Sequence, residues 1–243
     1  MGLNAYAQRI AVQGDKQPLI GLATLMTMAY QGVDLSPLAN KLLELADHDD
    51  AEAMMDLGTL LQLRGDPTTG VALQKQALTY KQVFQLEPEN SRSDIRLLVI
   101  MAPGDLMTNT PFEFLADGAG IVIEMLYVSL EKPLPKKLPD HDIAIVAVCE
   151  LDRNRPILRL INSLFPHWPK PILNRPDLIS RMSRDLVCHT LQHVPNVVIP
   201  PTIRINRVIL ERLGLANEPI GQCLKEGDSP SSYGQLTLTR VKD

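Results

Sequence analysis

Apolar side chains recur at helical spacing through the first ninety residues, and the pattern repeats along the chain. The stretch LATLMTMAYQGVDLSPLANKLLELA begins at Leu22, and LGTLLQLRGDPTTGVALQKQALTY begins at Leu57, an offset of 57 − 22 = 35 residues. Each stretch predicts a helix, a short turn and a second helix. A leading helix is predicted over residues 4–13, and no strand pattern is found before residue 90. Residues 1–90 are therefore predicted to be an all-helical repeat domain.

Turn residues mark where the second helix of each repeat begins. Asp66 precedes Pro67, and Ser36 precedes Pro37. In each pair an N-capping side chain stands before a proline at the first helical position. Two such units and a leading helix make a short stack, which is either a packing module or a groove for a peptide.

The hydrophobic pattern changes after residue 94, where apolar runs rich in β-branched residues alternate with turns. Such runs are typical of strands that are buried on both faces. A helical pattern at Arg155–Leu164 and a capping box with proline at Thr110–Glu113 lie between them. Strands alternating with helices predict a parallel sheet with helices on both faces. The predicted strands are Ile95–Ala102, Gly120–Val128, Ile143–Glu150 and Pro171–Asn174.

Composition limits the classes of function. The chain has 243 residues, of which 45% are hydrophobic and 21% charged, and its formal net charge is −4. A broad nucleic-acid surface needs a basic face, so this charge argues against one. The chain holds no run of 18 apolar residues and no signal peptide, and we expect a cytoplasmic protein that binds neither membranes nor nucleic acid. The three cysteines, Cys149, Cys188 and Cys223, lack metal-type spacing and are expected to be reduced thiols.

The loops that follow the predicted strands are the candidate ligand site, because open α/β sheets bind ligands at the carboxyl ends of their strands. The loop Ala102–Thr110 leads into a helix N-terminus, whose amides could hold an anion or a carboxylate. The alternative is an ordinary strand-to-helix turn, in which the polar side chains only cap and turn. The residues predicted to contact a ligand are Gly104, Asp105, Asn109, Thr110, Asn174 and Arg175.

Other chemistry-bearing patterns are weak. Neither G-x-G-x-x-G nor a Walker A motif is present. The segment Cys149–Pro156 mixes acids and bases, which either bind a polar ligand or form local ion pairs in a solvated loop. Cys149 has no histidine nearby in sequence to activate it, and His189 with His193 is half of a metal site at best. We therefore assign no catalytic and no metal-binding residue.

One segment resembles a known family. The stretch NRPDLISRMSRDLVCHTLQHVPNVVIPPTIRI, residues 174–205, is similar to the entrance of an ATP-grasp domain through RMSRD at 181–185 and PPT at 200–202. With APGD, NTPFEFL, LPDHD and NRP, it resembles bacterial ATP-grasp proteins that carry tetratricopeptide or Sel1-like repeats. The resemblance covers about residues 20–228 and implies a multidomain chain. Its parts are helical repeats over 1–90, a Rossmann-like pre-ATP-grasp α/β domain with a parallel sheet over 94–176, the start of an ATP-grasp lobe over 177–228, and an aberrant tail over 229–243.

The resemblance also implies a function. It points to ADP-forming ligases that join a carboxylate to an amine or a thiol, with ATP and Mg²⁺ as cofactors. The Gly-rich phosphate motif of that family is absent after the PPT segment, so we expect this chain to bind neither cofactor and to be inactive. The codons for Pro230–Asp243, reread one register over, allow LIIRPVDSHAGQG, and we expect a reading-frame shift near Asp228. The alternative is a genuine disordered terminus.

The alternative function is an interaction scaffold beside an α/β ligand-binding domain. Its helical repeats would bind a protein or peptide partner. Residues 200–228 are expected to expose an apolar set that either forms a homodimer or leaves the segment mobile. That set is Val208, Ile209, Leu213, Leu215 and Ile220.

Overall fold

The computed structural model describes residues 18–86, 95–116, 119–200, 202–214 and 233–237. The chain divides into two compact units, residues 1–179 and 180–243. The predicted leading helix over residues 4–13 lies outside the described residues.

The described part of the first unit begins with four helices, in two helix–turn–helix pairs as predicted. They are α1 (Leu22–Tyr30), α2 (Ser36–Ala46), α3 (Ala51–Leu63) and α4 (Pro67–Tyr80). The helices do not follow the 35-residue offset of the sequence pattern. The first helices of the pairs start 51 − 22 = 29 residues apart, and the second helices start 67 − 36 = 31 residues apart.

The prediction of the helix starts is confirmed for one turn and wrong for the other. Asp66 caps α4, with its carboxylate accepting a hydrogen bond from the Thr69 N–H at 3.0 Å. Ser36 does not cap α2, because it is already the first helical residue. Its N–H donates to Asp34 at 2.9 Å, and its hydroxyl accepts from Arg64 at 3.1 Å. The proline after Ser36 signalled the helix start correctly, but the capping group lies upstream.

Two glycines let α3 and α4 approach at the level of the backbone. A Cβ atom on Gly58 would lie 2.8 Å from the Gly70 carbonyl oxygen, a distance that real Cβ atoms essentially never show. Both glycines lie in helix interiors, where glycine lowers helix stability by about 1 kcal/mol relative to alanine. The cost is offset by the close contact that the missing side chains allow.

A five-stranded sheet follows, in the order β1-β3-β2-β4-β5. The strands are β1 (Val83–Leu86), β2 (Ile95–Met101), β3 (Ile121–Tyr127), β4 (Ile143–Val146) and β5 (Ile172–Leu173). The pairs β2–β3, β2–β4 and β4–β5 are parallel, whereas β1 pairs antiparallel with β3. The sheet is therefore mixed rather than purely parallel, and the prediction of a strand-free region before residue 90 was wrong.

Short helices connect the strands. α5 (Glu113–Ala116) lies between β2 and β3, α6 (Arg155–Leu164) lies between β4 and β5, and α7 (Pro176–Ile179) follows β5. The bounds of α6 coincide with the predicted helix. By contrast, β4 ends at Val146 rather than at Glu150, because the chain beyond it pairs with a loop instead of a strand. The Thr110 N–H donates to the Ala147 carbonyl at 2.7 Å, and the Cys149 N–H donates to the Thr108 carbonyl at 3.0 Å.

The two faces of the sheet are covered by different elements. Val99 and Ile123 pack in one core with buried residues of α1–α4. Leu98 and Val146 on the other face pack in a second core with Leu158 of α6. The four N-terminal helices are therefore one of the two layers that cover the sheet.

The second unit contains α8 (Arg184–Leu191), β6 (Thr202–Asn206), α9 (Arg207–Gly214) and β7 (Tyr233–Thr237). β6 and β7 pair antiparallel. The strand β7 lies inside the predicted tail, for which the sequence pattern indicated no strand. Of the predicted apolar set, Val208 is exposed on α9, while Leu215 and Ile220 lie outside the described residues.

Candidate functional site: a polar cavity beneath the first helix

After β2 the chain first adds β3 on one side and then β4 on the other, so the strand order reverses at β2. The carboxyl ends of β2 and β4 lie side by side at this point. Ligands of open α/β sheets bind at such a point. The loop after β2 is joined there to the segment after β4 by an isolated bridge between Asn109 and Val148. The Asn154 amide reinforces the junction, donating to the Thr108 carbonyl at 3.1 Å and to the Cys149 carbonyl at 2.9 Å.

Gly104 and Asp105 hold the loop in place. The Gly104 N–H donates to Gln74 of α4 at 2.8 Å, and a Cβ atom on this glycine would overlap Thr108. The Asp105 carboxylate accepts from the Thr108 hydroxyl at 3.0 Å and from Arg153 at 2.6 Å. The Asp105 side chain therefore already has partners within the loop and the neighbouring segment.

Asn109 and Thr110 contact other residues of the loop and of the segment after β4. The Asn109 side chain pairs with both backbone groups of Ala102, accepting from its N–H and donating to its carbonyl, each at 2.8 Å. The Thr110 hydroxyl lies 3.7 Å from the Cys149 sulfur. Both residues nonetheless line a cavity, together with Gly104 and Asp105.

The other two predicted residues lie elsewhere. Asn174 follows β5 with a φ of 57°, and its amide donates to the Val146 carbonyl at 3.3 Å. Arg175 pairs with Asp177 at 3.1 Å. Neither residue is among those lining the cavity, so the structure brings four of the six predicted residues together and places these two apart.

The cavity lies between the helices and the sheet, with α3 and α4 on one side and β2 and β3 on the other. It offers about 70 Å³ to the centres of water-sized molecules, and one water needs roughly 10–15 Å³ on that measure. The space therefore suits a ligand of about five to seven non-hydrogen atoms. Thr110 and Pro111 in its lining are exposed to solvent.

Asp56 is the most deeply buried acid in the lining, only 1% exposed in the middle of α3. Its two carboxylate oxygens accept hydrogen bonds from the Ile20 N–H at 2.8 Å and the Gly21 N–H at 3.0 Å. Burial raises the pKa of Asp56 to about 8 against the lowering effect of these bonds, and the nearby carboxylates of Glu113 and Glu52 raise it further.

Glu113 is a second acid at the same helix end, and its position corrects the predicted capping box. Its carboxylate does not cap the four-residue helix on which it lies but accepts from the Ala23 N–H of α1 at 2.9 Å. A Cβ atom on Gly21 would lie 2.7 Å from this carboxylate. Burial raises the pKa of Glu113 while its bonds to the Ala23 and Leu22 amides lower it.

Tyr127 closes the lining at the end of β3. Its side chain is 6% exposed and its ring packs edge to face against Phe84, with 5.9 Å between centroids. Within the described part of the chain its hydroxyl has no hydrogen-bond partner. Burial, with the carboxylates of Glu113 and Asp56, raises the pKa of the Tyr127 hydroxyl above its usual value.

Sequence reasoning missed the three residues that give the cavity its chemistry. The signal for Asp56 is a lone acid in the buried run AEAMMDLGTLL. Glu113 was singled out only for a local role, and Tyr127 reads as an ordinary strand residue. The start of α1, which is the partner of Asp56 and Glu113, is distant in sequence from both. No local pattern could reveal these contacts or place Tyr127 near the two acids.

In the first unit, the other buried polar side chains have hydrogen-bond partners among the described residues. Glu124 of β3 pairs with Arg96 of β2 at 3.1 Å. His141 lies 2.8 Å from the Pro139 carbonyl through Nδ1 and accepts from the Trp168 indole through Nε2 at 3.2 Å. These contacts have a structural role and leave no group directed at a ligand.

The segment Cys149–Pro156 forms local ion pairs. Arg155 pairs with Asp152 at 2.9 Å and Glu150 at 3.4 Å. Such half-exposed pairs contribute little to stability, typically about 0–1 kcal/mol each. The interpretation as a solvated loop with local pairs fits these contacts.

The cysteines, the histidines and the lengths of the helices bear on metal binding and on membrane insertion. Cys149 and Cys188 are free thiols, and Cys223 lies outside the described residues. His189 and His193 lie with 5.6 Å between ring centroids. In the described residues no group of three or more His, Cys, Asp or Glu is placed to hold a metal ion. None of the described helices has both the length and the apolar character required to cross a membrane.

Comparisons of the chain with protein-family models, with curated proteins and with solved structures find no match. The class is therefore defined by the first unit alone. It is an α/β arrangement in which a helical layer covers a mixed five-stranded sheet over a polar cavity.

Proposed function

We propose that the first unit is a ligand-binding module that takes a small polar molecule in the cavity under α1. The observation that carries this function is the presence of buried, ionisable groups around an open space between α3 and α4 and the β2–β3 face of the sheet, beside the loop that follows β2. A packed core with this composition would normally exclude the space and satisfy the groups internally. This module corresponds to the α/β ligand-binding domain of the alternative function, in which the helices form an interaction scaffold.

A pair of threonine variants tests this function. Thr59 lines the cavity and its hydroxyl bonds to the Met55 carbonyl of its own helix at 3.0 Å. Thr79 on α4 makes the equivalent bond to the Gln76 carbonyl at 2.7 Å but is exposed. Thr59→Met should fill the cavity, whereas Thr79→Met is the matched control.

The measurement is ligand-observed NMR with cationic, neutral and anionic fragments of up to about seven non-hydrogen atoms. At least one fragment should bind the wild type and Thr79→Met and lose binding in Thr59→Met. Equal binding to all three proteins would place the fragments outside the cavity, and the proposed function would be wrong.

A second candidate is that the chain carries the leading domains of an ATP-grasp ligase. In that proposal the helices are tetratricopeptide or Sel1-like repeats and the α/β part is a Rossmann-like pre-ATP-grasp domain. Its support is the motif string quoted above together with the four parallel strands in the order β3-β2-β4-β5. Because the phosphate motif of the family is absent from the sequence, calorimetric titration with ATP and Mg²⁺ should show no micromolar binding. Micromolar affinity would contradict that expectation.

Binding of a protein or peptide by the helices remains a proposal as well. The exposed apolar side chains of α1 and α2 favour it, with Tyr30 being 92% exposed and Leu43 52% exposed. Dimerisation through residues 200–228 is a separate proposal, supported by the exposed Val208. Sedimentation velocity at two protein concentrations distinguishes a dimer from a monomer.

A further inference from the structure

The charges around the cavity are unbalanced. The described residues that line it include three acids, Asp56, Asp105 and Glu113, and no lysine, arginine or histidine. Asp105 is paired with Arg153. The other two carboxylates face only the backbone amides at the start of α1, which carry roughly half a positive charge. Because the pKa of Asp56 is about 8, this acid holds a proton at pH 7 when the cavity is empty. A ligand that brings positive charge would displace that proton and complement the site.

The unused hydrogen-bonding capacity points the same way. Each oxygen of Asp56 accepts one N–H bond, and Glu113 accepts from Ala23 through Oε2, which leaves lone pairs on both carboxylates. Tyr127, a residue only 6% exposed, lines the same space, and its hydroxyl has no hydrogen-bond partner in the described part of the chain. An ammonium group has three donors and no acceptor, and it matches three oxygen atoms of this kind.

Two glutamines on the helical side of the cavity supply donors. The side-chain carbonyls of Gln62 and Gln74 are engaged by the Leu106 and Gly104 N–H groups at 3.0 and 2.8 Å. Their amide nitrogens are the groups left to face a ligand, and these are donors only. A ligand with an acceptor such as a hydroxyl oxygen away from its ammonium group would satisfy both the acids and the glutamine donors.

We propose that the cavity binds a small primary amine that also carries a hydroxyl, with its ammonium group donating to Asp56, Glu113 and Tyr127. This assignment rests on the proposed function and names the ligand class for the same site. The size of the cavity limits the ligand to about five to seven non-hydrogen atoms. The exposed residues Thr110 and Pro111 mark where it enters.

Three probes of similar size and different charge test the assignment: ethanolamine, ethylene glycol and glycolate. Each is titrated into the full chain by calorimetry in amine-free phosphate buffer at pH 7. Ethanolamine should bind saturably with a Kd of about 0.1–10 mM, as expected for so few atoms. The other two probes should bind at least tenfold more weakly.

Two variants remove single contacts without changing side-chain shape. Glu113→Gln can keep an acceptor for the Ala23 N–H while losing the charge, and it should weaken ethanolamine binding at least tenfold. Tyr127→Phe should weaken it about threefold or more. Glu44→Gln and Tyr30→Phe, both at exposed positions, are the matched controls and should bind as the wild type does. Equal affinity in Glu113→Gln and the wild type would overturn the proposal.

The results distinguish the amine assignment from the proposed ligand-binding function. If ethylene glycol or glycolate binds and Thr59→Met abolishes that binding, while ethanolamine does not bind, the amine assignment is wrong and the proposed function stands. If no fragment of any charge binds in a manner sensitive to Thr59→Met, both are wrong. Ethanolamine binding that Thr59→Met and Glu113→Gln abolish supports both.

Discussion

At the scale of single residues, the chemistry of the cavity depends on a carboxylate that lies in a hydrophobic core. Asp56 stands among Met54, Met55 and Leu57 in α3, where an unpaired charge would cost several kcal/mol. The fold manages this with two backbone donors, and the raised pKa shows that they do not fully compensate for burial. Such an imbalance is typical of functional sites, although structural groups share it.

The raised pKa predicts how stability depends on pH. Because the pKa of Asp56 is about 8 in the folded protein against 3.8 ordinarily, the folded state holds a proton that the unfolded state releases. This contribution is complete below about pH 4 and is lost as the pH rises towards 8, with a slope of up to about 1.4 kcal/mol per pH unit.

The variant Asp56→Asn isolates this effect. Its amide group must face one of the two N–H donors, so it should be less stable than the wild type by about 1–3 kcal/mol at pH 5. That difference should shrink and then change sign as the pH rises from 5 to 8, because the wild type loses up to about 1.4 kcal/mol per pH unit while the variant's amide does not titrate. Urea unfolding at each pH measures it. Parallel profiles for the two proteins would show that Asp56 does not titrate in this range.

At the scale of elements, the positions where helices start could be predicted from local sequence. Which side chain caps each start could not always be predicted. Proline located the starts of α2 and α4 because its fixed φ and missing N–H suit the first turn. Asp66 then caps its own helix, whereas the start of α1 is capped by Asp56 and Glu113 from other elements. A capping box read from sequence assumes a local partner, and at Glu113 the tertiary fold provides another.

A comparison of Asp66 with Ser36 gives a prediction about helix capping. Asp66→Ala removes a cap and should lower the free energy of unfolding by about 1 kcal/mol. Ser36→Ala removes only an exposed hydrogen bond to Arg64 and should change it by less than about 0.5 kcal/mol. Urea denaturation of both variants makes the comparison. An equal loss in the two would restore Ser36 as a cap.

The sheet shows the same limit of sequence reasoning. The long apolar runs that form β2 and β3 were predicted within one residue, because strands covered on both faces are continuously apolar. β1 has four residues, VFQL, directly after a helix, too short a pattern to be separated from a turn. Its pairing with β3 depends on a contact about forty residues away in sequence, of a kind that local patterns do not encode.

At the scale of the whole molecule, the question is whether the helices fold apart from the sheet. The sequence pattern predicted a separate domain over residues 1–90, and that boundary remains a prediction. In the structure, buried residues of α1–α4 share one core with Val99 and Ile123 of the sheet. A shared core of this kind favours one cooperative transition for residues 1–179.

The single tryptophan makes this testable. Trp168 packs with the opposite core, beside α6, so its fluorescence reports the far side of the sheet, whereas circular dichroism at 222 nm mainly reports the helices. We expect the two signals to change together during urea unfolding. Loss of the helical signal at clearly lower urea would indicate an independent helical domain.

The most direct test of the ligand cavity uses its methionines. Met55, Met101 and Met125 line the cavity, whereas Met107 and Met182 are exposed elsewhere. With ¹³C-methyl-labelled methionine, ethanolamine should shift the three cavity signals along one saturable curve and leave Met182 unchanged. If the cavity signals stay fixed while ethanolamine, ethylene glycol and glycolate are each raised well above 10 mM, a concentration expected to exceed Kd, the cavity is a feature of packing and the proposed function is wrong.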